Sequence, residues 1–561
     1  MAKINQNRLF GDKIYGHALF LIVVCYFAFF YASDSFFVNI MEARNFVTAR
    51  EMIEKGNWLV PTMNGQLRLA KPPFPTWITA LFGSWFGIEN IRMLRFPAGI
   101  IGSLLVLFMY LFSFSLNKNR MLALVNSLIL ASGFYVVYLG RTGTWDIYCH
   151  SFMLGAIFLL YEAWKSDKNN WSLFAGAGVL MGLSFLSKGP VAFYVLLLPF
   201  LIAYCWSYDG KKILKKWKPL LLSLAIFAVL SFAWPVYIYF THAEELAATM
   251  QVESASWLDR HVRPFYYYWN FPIQSGVWTL LITSALLFPF VIKNFENKKE
   301  YKFAFIWTIV SVVLLSFLPE KKDRYLMPVL IPATLMSGQL VRYLHAAFKN
   351  KTAGKWDQFL LGLNIWPLAV VALVLPVGVY IFFYQKDYMS LSSFIAFSLL
   401  VEAIFILLIR AWRRKDILLT VLSGVLLMVL METFIIPNVG GLLNRNPDFR
   451  DIAEIKSNPE LDSLNFYNIE DEEFRIELVQ QVGKEVKNWN PKTTPRFPEK
   501  DAFVVFSTKR PEEIFSESQQ QKLEIKIIGY YDYNRSYRDK NNSNIRFKKY
   551  VALVKIKPNA E

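Results

Sequence analysis

Apolar runs of about twenty residues recur along most of this chain, divided by short loops that hold the charge. A helix of that length crosses the hydrocarbon core of a bilayer and satisfies its own backbone there. Candidate spans centre on 16–33, 97–116, 121–139, 149–164, 171–186, 190–207, 219–240, 273–292, 303–318, 325–344, 358–383, 391–409 and 416–437, thirteen in all. The least sharply divided pair is 171–186 and 190–207, split only by Ser187-Lys188-Gly189-Pro190. The expected fold class is mostly α, a polytopic membrane protein. Composition argues the same way: charged residues are 18% and hydrophobic ones 55%, where a soluble domain carries about 25% charge. Cys25, Cys149 and Cys205 lie in or beside apolar runs, which excludes a disulfide framework or a cysteine-rich zinc site.

The net charge of +17 suggests nucleic acid until its placement is read. It follows membrane topology instead, and no nucleic-acid partner is expected. Numbering the loops from a cytoplasmic N-terminus puts Lys118/Arg120, Lys165/Lys168, the run Lys211 to Lys218, Lys293/Lys298/Lys299/Lys302, Lys349/Lys351/Lys355 and Arg410/Arg413/Arg414/Lys415 inside. The short outer loops hold fewer cations: Arg141, Lys188, Lys321/Lys322/Arg324 and Lys386. That bias sets orientation, with the N-terminus in and the C-terminus out. The first apolar run has no small-residue cleavage site after it and reads as an uncleaved anchor.

The expected organisation is a transmembrane domain over 1–437, with a first external loop at 34–96, and a C-terminal external α/β domain over 438–561. Within the first loop, Met41–Lys55 reads as an amphipathic helix ended by Gly56, and 75–87 as an aromatic interfacial helix. The second external segment, 241–272, ends in Tyr266, Tyr267, Tyr268 and Trp269, an interfacial-belt composition. In the tail, Ala502–Phe506, Ile525–Tyr531 and Tyr550–Ile556 read as strands and 467–488 as helix.

Charge beside a membrane is costly and marks functional candidates. Glu42 and Asp146 fall on the outer side at similar depth. The alternatives are a solvated helix face or a pairing with Arg44 or Arg50 for Glu42, and a helix N-terminal charge for Asp146. Lys71 is fixed in a stiff turn by Pro72-Pro73; the alternative is a snorkelling lysine. Lys188 and the run Pro319-Glu320-Lys321-Lys322-Asp323-Arg324-Tyr325 place cations against an apolar lumen, which suits a lipid phosphate; the alternative is a simple outer-leaflet lipid contact. A carboxylate can activate an acceptor oxygen while lysine and arginine neutralise a departing phosphate.

These stretches resemble a known family. MEARNFVTAREMIEKGNWLVPTMNGQLRLAKPPFPTWITALFGSWFG, RTGTWDIYCH, GLSFLSKGPVA and PEKKDRYLMPVLIPATL are similar to the lipid A 4-amino-4-deoxy-L-arabinose transferase and its protein O-mannosyltransferase-like relatives, the C-type glycosyltransferases. The resemblance covers residues 15–345 and is loose in the tail. It implies thirteen membrane helices, a bacterial inner-membrane location with a periplasmic C-terminus, a polyprenyl-phosphate-sugar donor and a lipid or glycan acceptor, among membrane lipids. It implies catalytic roles for Glu42 and Asp146 and donor-phosphate binding by Lys71, Lys188, Arg324 and Tyr325. The family's first loop usually has an Asp-Glu pair, but Met41 stands before Glu42 here, and Ala70 replaces an acidic residue before Lys71. His261 is a weak candidate for a metal ligand, and a divalent metal is the one cofactor left open. The expected activity is transfer of a sugar to a lipid A-like or other cell-envelope acceptor. The alternatives are a lipid-linked sugar flippase, for which Glu402 and Glu432 are the main mid-span charges, and an inactive binding relative.

Overall fold

The computed structural model describes residues 14–259, 261–287, 298–535 and 544–557. The span expected at 273–292 is therefore seen to Leu287, and Lys293 lies outside the described residues. Each of the thirteen expected stretches holds helix. Eight of the described helices are long and apolar enough to cross a membrane, and a ninth crossing is made if the pair Arg120–Ala131 and Phe134–Gly140, bent by 68°, counts as one. The chain is a mostly helical multi-pass membrane protein. The helices at 16–33, 190–207, 273–292 and 325–344 are shorter, irregular or more polar than those eight.

The chain divides into two compact units. The first, the helical unit, comprises Met1–Ser33, Leu69–Pro75 and Arg95–Pro437. Its first helix, Ile14–Cys25, runs into a wider turn at Tyr26–Phe30. The carbonyls at that end have no helical donors left. Arg141, buried to 1% exposure, supplies them: it donates to Phe27 O at 2.8 Å, to Ala28 O and Ala32 O at 3.1 Å, and to Tyr31 O. The helices Trp145–Lys165 and Trp171–Lys188 form an antiparallel hairpin, pinned where Ser184 Oγ donates to Cys149 O at 2.8 Å. Gly178 and Gly182, four apart on the second of them, bring it against Trp217–Thr241. A Cβ on Gly178 would stand 2.5 Å from Ser223 O, and one on Gly182 would stand 2.7 Å from Leu230 Cβ. Small residues at this spacing let helix backbones approach in a membrane.

The second, the mixed unit, comprises Asp34–Arg68, Thr76–Leu94 and Asn438–Glu561. The helix Ile40–Lys55 begins at the cap Asn39 and stops at Gly56, whose φ of 71° is the left-handed geometry that ends helices. A two-residue Asn64-Gly65 turn joins strands β1 (Thr62–Met63) and β2 (Gln66–Leu67), with both turn residues at positive φ. Glu51, 1% exposed, holds this hairpin by accepting from Thr62 Oγ1 at 2.5 Å and Gly65 N at 3.1 Å. The tail contributes β3 (Phe466–Asn468), β4 (Val486–Asn488), β5 (Ala502–Ser507), β6 (Leu523–Asp532) and β7 (Lys548–Ile556). They form one sheet in the order β4-β3-β5-β7-β6, with β3 parallel to β4 and β5 and the other pairings antiparallel.

Alternation sorts its core: Val504 and Phe506 face one side with Leu478 and Val551, while Phe503 and Val505 face the other with Trp489 and Val554. Val47 of the helix Ile40–Lys55 lies in the first of these clusters. Lys55 pairs with Glu485 at 2.7 Å, and Asn64 exchanges two 2.8 Å hydrogen bonds with the Val486 backbone. Residues 34–68 and 76–94 thus fold together with the tail as one body. The stretch 467–488, expected as helix, is helical only at Ile476–Val482. Gly483, at φ 77°, ends that helix, and the buried Phe466, Tyr467 and Val486 go to strands β3 and β4.

Candidate active site

The hairpin geometry sets the site. Asp146 opens the helix Trp145–Lys165 and Lys188 closes Trp171–Lys188, so the two side chains meet at one end of an antiparallel pair. They form an ion pair with 1% and 8% side-chain exposure. Burying two charges is expensive unless they are paired and hydrogen-bonded. Only half of that condition is met: Asp146 Oδ2 is buried and has no hydrogen-bond partner among the described residues.

A third element closes the group. The short turn Asp323–Leu326 leads into the helix Met327–Lys349. Lys188 Nζ lies 4.8 Å from the centroid of the Tyr325 ring, and the Arg324 guanidinium lies 5.7 Å from the same ring. Arg324 is within electrostatic reach of Asp146, and its buried Nε also has no hydrogen-bond partner among the described residues. An orphaned acceptor and an orphaned donor therefore flank one lysine and one aromatic ring. Buried polar groups are nearly always satisfied, and exceptions call for a ligand or water. The arrangement suits a group that both accepts and donates, or an anion placed beside an acceptor hydroxyl.

The turn is held from a second loop. Lys321 N donates to His261 O at 3.1 Å, and Lys322 N to Tyr268 Oη at 2.9 Å. Tyr267 Oη donates to Asp323 Oδ1 at 2.7 Å, a bond that raises its phenol pKa, while burial raises that of Tyr268. The Tyr/Trp stretch is thus only in part an interfacial belt: Tyr266 and Trp269 are exposed, but Tyr268 is fully buried.

Asp146, Lys188, Arg324 and Tyr325 come together. The neighbouring cations are otherwise engaged: Lys322 pairs with Glu320, and Lys321 Nζ donates to Leu318 O at 2.5 Å. Lys71 pairs with Glu253 at 3.0 Å. Its segment rests on the Asp146 helix, where the Phe74 and Phe152 rings lie 5.9 Å apart. His261 is exposed, with a left-handed φ of 52°, and no cluster of three or more metal-binding side chains occurs among the described residues. Glu42 belongs to the mixed unit. It is fully buried as the third residue of its helix, and its Oε2 accepts from Asn39 N at 3.2 Å and Asn39 Nδ2 at 2.8 Å. That is a reciprocal capping box, a role signalled by Asn39 three residues earlier.

Sequence reading passed over His150, which is buried one turn beyond Asp146 and was detectable from its i+4 spacing. It also passed over Glu253, which no motif marks.

Residues 70–237 match the Dolichyl-phosphate-mannose-protein mannosyltransferase family. An uncharacterized protein of Aquifex aeolicus (strain VF5) is 27% identical over 63% of this chain and 70% of its own length. An undecaprenyl phosphate-alpha-4-amino-4-deoxy-L-arabinose arabinosyl transferase of Shewanella sediminis (strain HAW-EB3) is 25% identical over 56% of this chain and 57% of its own. Against such transferases the match spans little more than half their length. The crystal structure of ArnT from Cupriavidus metallidurans bound to undecaprenyl phosphate superposes with a TM-score of 0.69 at 15% identity, covering 96% of this chain and 98% of that one. Its apo form gives 0.66. The likeness read from the motifs thus returns in the sequence matches and in the fold: this chain resembles the C-type glycosyltransferases of the aminoarabinose-transferase and protein O-mannosyltransferase group.

Proposed function

We propose that the protein is an integral-membrane glycosyltransferase that moves a sugar from a polyprenyl phosphate to a lipid A-like or other cell-envelope acceptor on the periplasmic face. The observation that carries this is the cluster of buried Asp146 and Lys188 with half-buried Arg324 and Tyr325, in which one carboxylate oxygen and one guanidinium nitrogen have no hydrogen-bond partner among the described residues. Asp146 Oδ2 receives the proton of the acceptor hydroxyl as its oxygen attacks the anomeric carbon. Arg324 and Lys188 stabilise charge on the departing phosphate. Stabilisation realised only as that charge develops lowers the barrier, by tenfold in rate for each 1.4 kcal/mol or so. The resemblance to arabinosyl transferases supports the donor class. In this reading the chain crosses the membrane thirteen times, with its N-terminus cytoplasmic and C-terminus periplasmic. Glu42 keeps its helix cap rather than serving as base.

The test is Asp146→Asn in membranes supplied with polyprenyl-phosphate sugars, with product followed by mass spectrometry. Turnover is expected to fall at least a hundredfold, the lower range for a general base. Turnover equal to the unaltered protein removes Asp146 from the chemistry. The flippase reading is favoured by Glu432, buried within the last long helix. It requires labelled lipid-linked sugar to cross proteoliposomes without transfer.

A further inference from the structure

The helix Ala243–Asp259 is held on a narrow seam. From 243 to 255 no residue is buried, and the half-buried ones, Leu246, Thr249 and Glu253, fall on one face. Glu253 is the charged member of that seam, and it meets Lys71, Oε2 to Nζ, at 3.0 Å. Lys71 is on rigid ground: Pro72 and Pro73 follow it, and Phe74 is seated on Phe152 of the Asp146 helix. The partner free to move is therefore the helix.

We infer that Glu253 is a built-in competitor for the anionic group of the donor, occupying Lys71 until a lipid phosphate replaces it and releases the helix. This rests on the donor class proposed above. The side chains are 26% and 38% exposed, so the exchange does not require opening a buried pair. A phosphate offers more acceptor oxygens than the single carboxylate oxygen now on the ammonium. A helix with so little buried surface opens at low free energy.

Binding of undecaprenyl phosphate to the full-length protein in nanodiscs tests this. Glu253→Gln is expected to tighten binding about two- to fivefold, the range for a partly exposed ion pair. The gain should vanish when Lys71→Gln is added, and Glu245→Gln, exposed on the same helix, should leave affinity unchanged. Amide exchange across 243–255 should speed up in Glu253→Gln, and in the unaltered protein on adding the lipid. Unchanged or weaker binding by Glu253→Gln overturns the inference. So does a gain that survives Lys71→Gln, or an equal gain from Glu245→Gln, which is a bulk-charge effect. If the unaltered protein has no affinity for undecaprenyl phosphate while retaining its fold, the donor reading itself fails, and the competitor role with it.

Discussion

At the scale of single residues, the Asp146–Lys188 pair is asymmetric. Lys188→Met leaves a buried carboxylate without its counter-charge, which costs about 3–5 kcal/mol when one partner of such a pair is removed. Adding Asp146→Asn removes the stranded charge, so the double variant should regain most of the lost thermal stability in detergent. If the double loses as much as the two singles summed, the pair is not energetically coupled. Both residues were legible in the sequence because ionised groups beside apolar runs are expensive there, whereas Tyr325 was legible only through the family resemblance. Glu253 was not legible, since an acid on a polar stretch outside the apolar runs carries no such penalty. Arg141 was read only as an outer-loop charge; that it satisfies four carbonyls at 27–32 is a long-range fact that spacing cannot reveal.

At the scale of elements, the position of Lys188 depends on how closely its helix lies on Trp217–Thr241. Gly178→Ala would put a methyl group 2.5 Å from the Ser223 carbonyl, a backbone atom that cannot swing away. Overpacking of this kind costs about 1–3 kcal/mol. The variant is expected to melt at lower temperature and to lose turnover, because the helix bearing Lys188 must shift. Turnover and melting temperature that match the unaltered protein would show that the helix contact does not govern the site. Spans were legible from hydropathy, as were the helix Ile40–Lys55 with its Gly56 stop and strands β5, β6 and β7, where apolar and β-branched residues coincide. The short strands β3 and β4 were missed: three residues each are too few to show a period, and their identity comes from pairing with each other and with β5.

At the scale of the whole chain, loop charge predicts orientation, and the cysteines allow a direct check. Cys25 and Cys149 are buried and Cys205 is exposed, six residues before the Lys211 run. A membrane-impermeant maleimide is expected to label Cys205 in inverted vesicles and to spare it in intact spheroplasts; the opposite pattern reverses the assigned topology. The sharing of a core by the helix Ile40–Lys55 and the tail was beyond sequence reading, since it joins residues about 400 positions apart, such as Arg50 and Val479, separated by 429. The same kind of separation governs how the molecule is made. The guanidinium that seals the end of the first helix lies 110 residues downstream of Tyr31. Until synthesis reaches Arg141, the carbonyls at 27, 28, 31 and 32 lack the guanidinium that bonds them in the folded chain. Folding therefore cannot be strictly sequential along this stretch: the helix end at 27–32 is completed by a side chain synthesised much later.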